Sequence, residues 1–100
     1  MKKILTKQQD SLVTIMLPGS FDVSQYEEFK AICQKYNSDS NCFEIDFAET
    51  QYMDSSALGM LLLLREQVKA DKKRVLLKNV NGTALKILEI AQFNQLFNIN

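Results

Sequence analysis

The passage from Cys42 to Leu64 leaves this chain few folds to choose from, because two hydrophobic periods meet there across a polar turn. Cys42-Phe43-Glu44-Ile45-Asp46-Phe47 alternates strictly. Phe43, Ile45 and Phe47 share one face and Cys42, Glu44 and Asp46 the other, the signature of a half-buried strand. The turn Tyr52-Met53-Asp54-Ser55-Ser56-Ala57-Leu58-Gly59 then runs into Met60-Leu61-Leu62-Leu63-Leu64, predicting a helix over Ser56 to Ala70. A strand therefore hands over to a helix at the serines. Helix N-termini expose unpaired backbone N–H groups and a partial positive charge, which favour a hydroxyl, a carboxylate or a phosphate. Ser55 is accordingly either a helix cap or a site of regulated phosphorylation.

The remaining elements follow from the same periods. Lys3 to Lys7 and Ser11 to Leu17 predict two strands joined as a hairpin by Gln8-Gln9-Asp10. Tyr26, Phe29, Ile32, Cys33 and Tyr36 recur at helical spacing over Ser24 to Tyr36, where Ser24 and Glu27 have the form of a capping box. Asn37 to Asn41 reads as a loop, Arg74 to Lys78 as a strand, Asn81-Gly82 as a loop and Thr83 to Ala91 as a helix. Gln95 to Ile99 reads as a short terminal segment able to pair at a sheet edge. Asp22 precedes a helix, and two roles stand open for it: a cap, or a neighbour of Ser55 at the same edge of the sheet.

Alternation in Cys42 to Phe47 and in Arg74 to Lys78, where Val75 and Leu77 oppose Arg74, Leu76 and Lys78, argues that helices cover mainly one sheet face. Strands buried on both faces would read as continuous apolar runs. Strand and helix alternate after the hairpin, which implies parallel pairing through right-handed crossovers. The expected fold class is α/β, a mixed four- or five-stranded sheet with three helices packed mainly on one face. One hundred residues, 46% of them hydrophobic, suit a single domain spanning 1–100.

Composition removes several functions. Twelve basic and twelve acidic residues cancel, leaving no positive field for a phosphate backbone, so no direct nucleic-acid partner is expected. The apolar run after Met1-Lys2-Lys3 is too short for a secretory signal, and no stretch approaches the ~20 apolar residues that span a bilayer. The expectation is a cytoplasmic protein without membrane insertion. Histidine is absent, which removes Ser-His and Cys-His nucleophilic sites and imidazole metal ligands. Cys33 and Cys42 match no zinc or redox spacing. The three glycines, Gly19, Gly59 and Gly82, form no phosphate loop. No enzyme activity, cofactor or metal is expected; a hydrolase at Asp54-Ser55 would lack a base. Asp71-Lys72-Lys73-Arg74 reads as a solvated loop rather than a lipid or nucleotide site.

Met53-Asp54-Ser55-Ser56-Ala57-Leu58-Gly59 resembles the Asp-Ser-Ser/Thr-Gly-Leu-Gly signature of STAS domains, in particular the bacterial anti-sigma factor antagonists. Pro18-Gly19-Ser20-Phe21-Asp22 is similar to the Gly-Glu-x-Asp turn of that family, and the order of elements agrees along nearly the whole chain. Ala57 stands where glycine is usual, and Ser20 where glutamate is usual. The resemblance implies that the hydroxyl after the aspartate, Ser55, is phosphorylated. It also implies partners: an anti-sigma factor or serine kinase regulator bound by the unphosphorylated form, and a separate serine phosphatase. The alternative that STAS-like proteins offer is a constitutive accessory subunit of a transporter ATPase, with Ser55 only a cap.

Candidate partner-binding residues are Asp22, Asp54, Ser55, Ser56, Leu62 and Leu63. The two leucines enter on helical geometry: with the core stripe centred on Ala57, Leu61, Leu64 and Val68, both point away from it. Either the buried stripe is wider than this, or they form an apolar patch beside Ser55 that a partner covers.

Overall fold

The computed structural model describes residues 3–100. Met1 and Lys2 lie outside them, and with them the start of the segment weighed above against a secretory signal. The chain opens with an antiparallel hairpin, β1 (Leu5–Gln9) and β2 (Leu12–Met16), in register from Leu5↔Met16 to Gln9↔Leu12. The strands run closer together than their sequence suggests, because Asp10 turns the chain with a positive φ of 56°. Aspartate tolerates this left-handed conformation. Two two-residue strands, β3 (Ser20–Phe21) and β5 (Tyr52–Met53), interleave with β4 (Cys42–Asp46), and β6 (Val75–Lys78) and β7 (Asn98–Ile99) complete the set.

The main sheet has the order β1-β2-β4-β6-β7, with β2, β4, β6 and β7 parallel. The terminal segment does pair at an edge, through Asn98 and Ile99 alone. Helices α1 (Tyr26–Lys35), α2 (Ser55–Gln67) and α3 (Gly82–Ile90) connect the strands. Val13, Ile15, Phe43, Ile45, Val75 and Leu77 are buried, while Cys42, Glu44, Asp46, Leu76 and Lys78 on the other face are half-buried. The open face carries a Lys78–Glu44 ion pair at 3.4 Å. One sheet face is thus packed and the other left to charged and polar side chains, as the alternation requires.

Some boundaries shift for local reasons. Arg74 belongs to a 3₁₀ turn (Lys72–Arg74) rather than to β6, and its guanidinium donates to the Asn41 carbonyl (Nε 3.0 Å, Nη2 2.8 Å) and to that of Ser38 (2.8 Å). It ties down the loop between α1 and β4. The capping box before α1 is not Ser24 with Glu27. Asp22 caps a 3₁₀ turn (Val23–Gln25) that runs straight into α1, and the Gln25 side chain reaches back to the Asp22 N–H at 2.7 Å. In α1, Phe29 and Cys33 reach the core and Ile32 and Tyr36 pack against it, but Tyr26 stays exposed. Burial pushes the Cys33 thiol up to about 12, so it behaves as a small apolar side chain. Helix α2 stops at Gln67, before Ala70, because Lys69 and Ala70 both turn left-handed.

Candidate functional site

The site is built by the two smallest strands. β3 and β5 pair in parallel with Ser20↔Tyr52 and Phe21↔Met53. Phe21 and Met53 are both buried and anchor the pair to the core. The Gly19 carbonyl accepts from the N–H groups of Gln51 (2.8 Å) and Tyr52 (3.1 Å), and the buried Thr50 hydroxyl donates to the Pro18 carbonyl at 2.9 Å. These bonds clasp the segment after β2 to the segment after β4. Continuing the register by one residue sets Asp22 beside Asp54, each immediately beyond a parallel strand and immediately before a helical turn.

Asp54, in extended conformation, is the residue that caps α2. Its Oδ1 accepts from the N–H of Ser56 at 2.9 Å and from that of Ala57 at 3.3 Å. Ser55 is therefore not the cap, contrary to the simplest reading of the sequence, and Ser56 is not the first residue of the helix. Ser55 is itself the first helical residue, and it is exposed. Aspartate and serine rank equally at this position, so the decision falls to backbone geometry, and β5 ends so as to leave Asp54 extended. Ser56 is half-buried and gives its N–H to Asp54.

Asp22 is arranged alike. Its Oδ1 accepts from the Ser24 hydroxyl at 2.6 Å and the Ser24 N–H at 2.9 Å, and these bonds, the hydroxyl first, hold its carboxyl below the ordinary 3.8. It therefore stays ionised at neutral pH, beside a helix start that already carries the Asp54 carboxylate. Between the two segments lies an open depression of about 530 Å³ lined by Pro18, Gly19, Ser20, Ser24, Gln25, Gln51 and Tyr52. It holds no ionisable group but the Tyr52 phenol.

The family model described as "Mlab, STAS domain" matches residues 4–98. The chain belongs to the STAS family. It is 35% identical over 88 residues to a STAS-domain containing protein of Pseudomonas aeruginosa (strain UCBPP-PA14), covering 88% of this chain and 87% of that one. Its fold is similar to that of the anti-sigma factor antagonist SpoIIAA in its unphosphorylated form, with a TM-score of 0.77 at 20% identity over 98% of this chain and 87% of that one. It is also similar to an anti-sigma factor antagonist from Mycobacterium paratuberculosis, with a TM-score of 0.81 at 16% identity over 97% and 83% of the two chains. At such identities the structural likenesses concern the STAS fold itself, a five-stranded mixed sheet with three helices.

Within this STAS domain, Asp22 and Asp54 each lie one residue beyond the paired strands β3 and β5, and Ser55 and Ser56 open the helix that Asp54 caps. Leu62 lies on the same side of α2 as Ser55, seven residues and about 10 Å further along the axis. It is 38% exposed. Leu63 is half-buried and faces a groove between α1 and α2. The core stripe Ala57, Leu61, Leu64 and Val68 is buried, and Met60 joins it. Two features of the site escape sequence reading. The β3–β5 pairing has too few residues to show a period, whereas the Asp22-x-x-Gln25 spacing of a capping box was there to be read. Val23, which follows Asp22 as Ser55 follows Asp54, is 64% exposed and apolar, and nothing in its local sequence marks it.

Among the described residues, no group of three or more His, Cys, Asp or Glu side chains is placed to hold a metal ion, and no helix is long and apolar enough to cross a membrane.

Proposed function

We propose that this chain is a non-enzymatic, cytoplasmic phospho-switch acting as an anti-sigma factor antagonist. Its unphosphorylated form binds an anti-sigma factor or related serine kinase regulator, phosphorylation at Ser55 releases it, and a separate serine phosphatase restores binding. One observation carries the reading: Asp54 does the capping, which leaves the Ser55 hydroxyl exposed at the first helical position with no part in holding the helix. An acceptor of this kind can be modified without unfolding its surroundings.

The physics of the switch is local. A phosphate adds about −1.5 to −2 charge and three acceptor oxygens. At the start of α2 it meets the positive end of the helix, which tolerates it, so the domain keeps its fold. Toward a partner it presents a third negative group beside Asp22 and Asp54. A loss of roughly 3 kcal/mol there weakens a complex by ~100-fold or more. Asp54 spends Oδ1 on two backbone N–H groups, which supports a binding role over a general-base role.

The test is affinity capture from the native cells with the wild-type chain and with Ser55→Asp, the retained proteins identified by mass spectrometry, alongside intact mass before and after phosphatase treatment. The reading expects one regulator retained by the wild type and released by Ser55→Asp, and one removable phosphate on the Ser55 peptide. A second reading is a constitutive accessory subunit of a transporter ATPase or other regulatory complex, in which the exposed Ser55 only begins the helix that Asp54 caps. It expects an unmodified Ser55 and equal retention by both forms.

A further inference from the structure

The parallel strands β2, β4, β6 and β7 carry helices on one face only, although parallel strands are normally covered on both. On the bare face the registers of β1, β2 and β4 set Lys7, Thr14 and Glu44 in one row across the sheet, with Leu12 and Met16 on either side of Thr14 along β2. Lys7 and Glu44 stand two strands apart, about 10 Å, too far to pair with each other. Glu44 meets Lys78 at 3.4 Å instead, and among the described residues the Lys7 ammonium has no carboxylate partner. Thr14 lies between them, 7% exposed, in a shallow hollow of about 190 Å³.

The charges of this face are complementary to those of its own copy. Two sheets pack face to face about 10 Å apart with their strands nearly aligned. A two-fold axis parallel to the strands sets the strand beneath it against itself and that strand's two neighbours against each other. Of the three interior strands, β4 would set Glu44 and Asp46 against their own copies, and β6 would set Lys78 against itself. Only β2 offers an uncharged line, Leu12, Thr14 and Met16. The same axis lays β1 over β4 of the second copy, so Lys7 of each comes over Glu44 of the other, and a lysine and a glutamate together span the gap. Asp46 comes over Leu5 and needs no partner there, because its Oδ1 already accepts from the Ala48 N–H and the Asn79 amide, both at 2.9 Å.

We infer that the bare sheet face is a self-association surface. A second copy of this chain docks on it about a two-fold axis along β2, held by reciprocal Lys7–Glu44 pairs around an uncharged line of Leu12, Thr14 and Met16. Only three strands overlap, which places the contact in the small, transient class, so the dimer is weak and reversible. An axis parallel to the strands keeps both copies pointing the same way. Both Ser55 residues, which lie beyond the ends of β2 and β4, therefore stand at one end of the dimer, where a bivalent partner can engage them together. The docking does not depend on whether Ser55 is modified.

The test is sedimentation equilibrium of the full-length chain at low salt, up to about 1 mM, the range a small interface calls for. The wild type should dimerise reversibly. Lys7→Glu and Glu44→Lys should each raise Kd at least about a hundredfold, because each sets like charges face to face at both contacts. An equimolar mixture of these two variants should dimerise again, since the reversals complement each other across the axis, which a general loss of stability does not produce. Leu12→Glu, at a position 38% exposed, should be monomeric, because it sets a carboxylate against itself. Should either reversal fail to melt cooperatively, Leu12→Glu decides alone. A wild type that stays monomeric at about 1 mM overturns the inference. So do charge reversals that dimerise as the wild type does, or a mixture that stays monomeric while both variants melt like the wild type. If a monomeric wild type captures a different protein that Leu12→Glu loses, the face belongs to that partner and the second copy is refuted.

Discussion

The two helix starts at the site, Asp22-Val23-Ser24 and Asp54-Ser55-Ser56, are built on one plan and finished differently. Each follows a two-residue parallel strand, and in each the aspartate accepts from the N–H two residues on, at 2.9 Å in both. At Asp22 the turn is closed from both sides, since the Ser24 hydroxyl and the Gln25 side chain are both drawn into it. Its first position is the apolar Val23. At Asp54 the third helical position is Ala57, which has no side chain to reach back, and the first position is the exposed hydroxyl of Ser55. The first start is a closed structural turn. The second assigns cap and acceptor to different residues, which is what allows the acceptor to change its charge.

Ser55→Asp should break the comparison most. It should weaken regulator binding substantially, approaching the ~100-fold of a full phosphate without reaching it, because one carboxylate carries less charge and fewer oxygens. Its melting temperature should stay close to that of the wild type, so binding and melting measured together separate lost contact from lost fold.

The next effect is on the fold alone. Asp54→Ala should cost about 1 kcal/mol, since it removes the acceptor for two helix N–H groups, whereas Ser55→Ala should stay within about 0.5 kcal/mol of the wild type. Urea denaturation decides. Equal costs for the two would return the cap to Ser55 and remove the division of roles.

The leucines sharpen the contrast between the exposed side of α2 and the groove. Leu62→Gln should leave stability nearly unaltered and weaken the regulator complex. Leu63→Gln, at a half-buried position, should lose part of the roughly 1.5–3 kcal/mol that full burial of a leucine is worth. A larger fall in melting temperature for Leu62→Gln than for Leu63→Gln would reverse their placement.

The smallest effect is on the closed turn and depends on pH. The folded-state carboxyl of Asp22 lies below its ordinary 3.8, held there by Ser24. A depressed carboxylate contributes stability above its unfolded value and loses it as pH falls through the folded one. The difference in melting temperature between the wild type and Asp22→Asn should therefore narrow as pH falls below 3.8. A difference constant down to the lowest pH at which the chain folds would mean that the Ser24 bonds do not select the ionised form.

Much of this was legible before any fold was known. The alternation of Phe43, Ile45 and Phe47 marks a half-buried strand wherever it is placed, and Ala57, Leu61, Leu64 and Val68 mark the buried stripe of α2, because both periods are properties of the backbone itself. Leu62 and Leu63 could not be told apart, since the wheel gives direction but not what stands there. The groove formed by α1 half-covers Leu63 and leaves Leu62 in solvent. Asp54 and Ser55 were equally good caps by residue type, and the conformation of one backbone residue chose between them.

The amino-acid sequence by itself determined the order of the longer elements, the sheet with one charged face, and the polar turn that carries an acceptor hydroxyl at a helix start. These depend on local periods that repeat over several residues. Only the tertiary structure brought Asp22 to Asp54. That meeting rests on the Gly19 carbonyl bonding the N–H groups of Gln51 and Tyr52, on Thr50 reaching Pro18, and on Phe21 and Met53 sinking side by side into the core. Strands of two residues have no period to read, and their pairing is held by bonds between segments far apart in the chain, so it exists only once the rest of the sheet has formed.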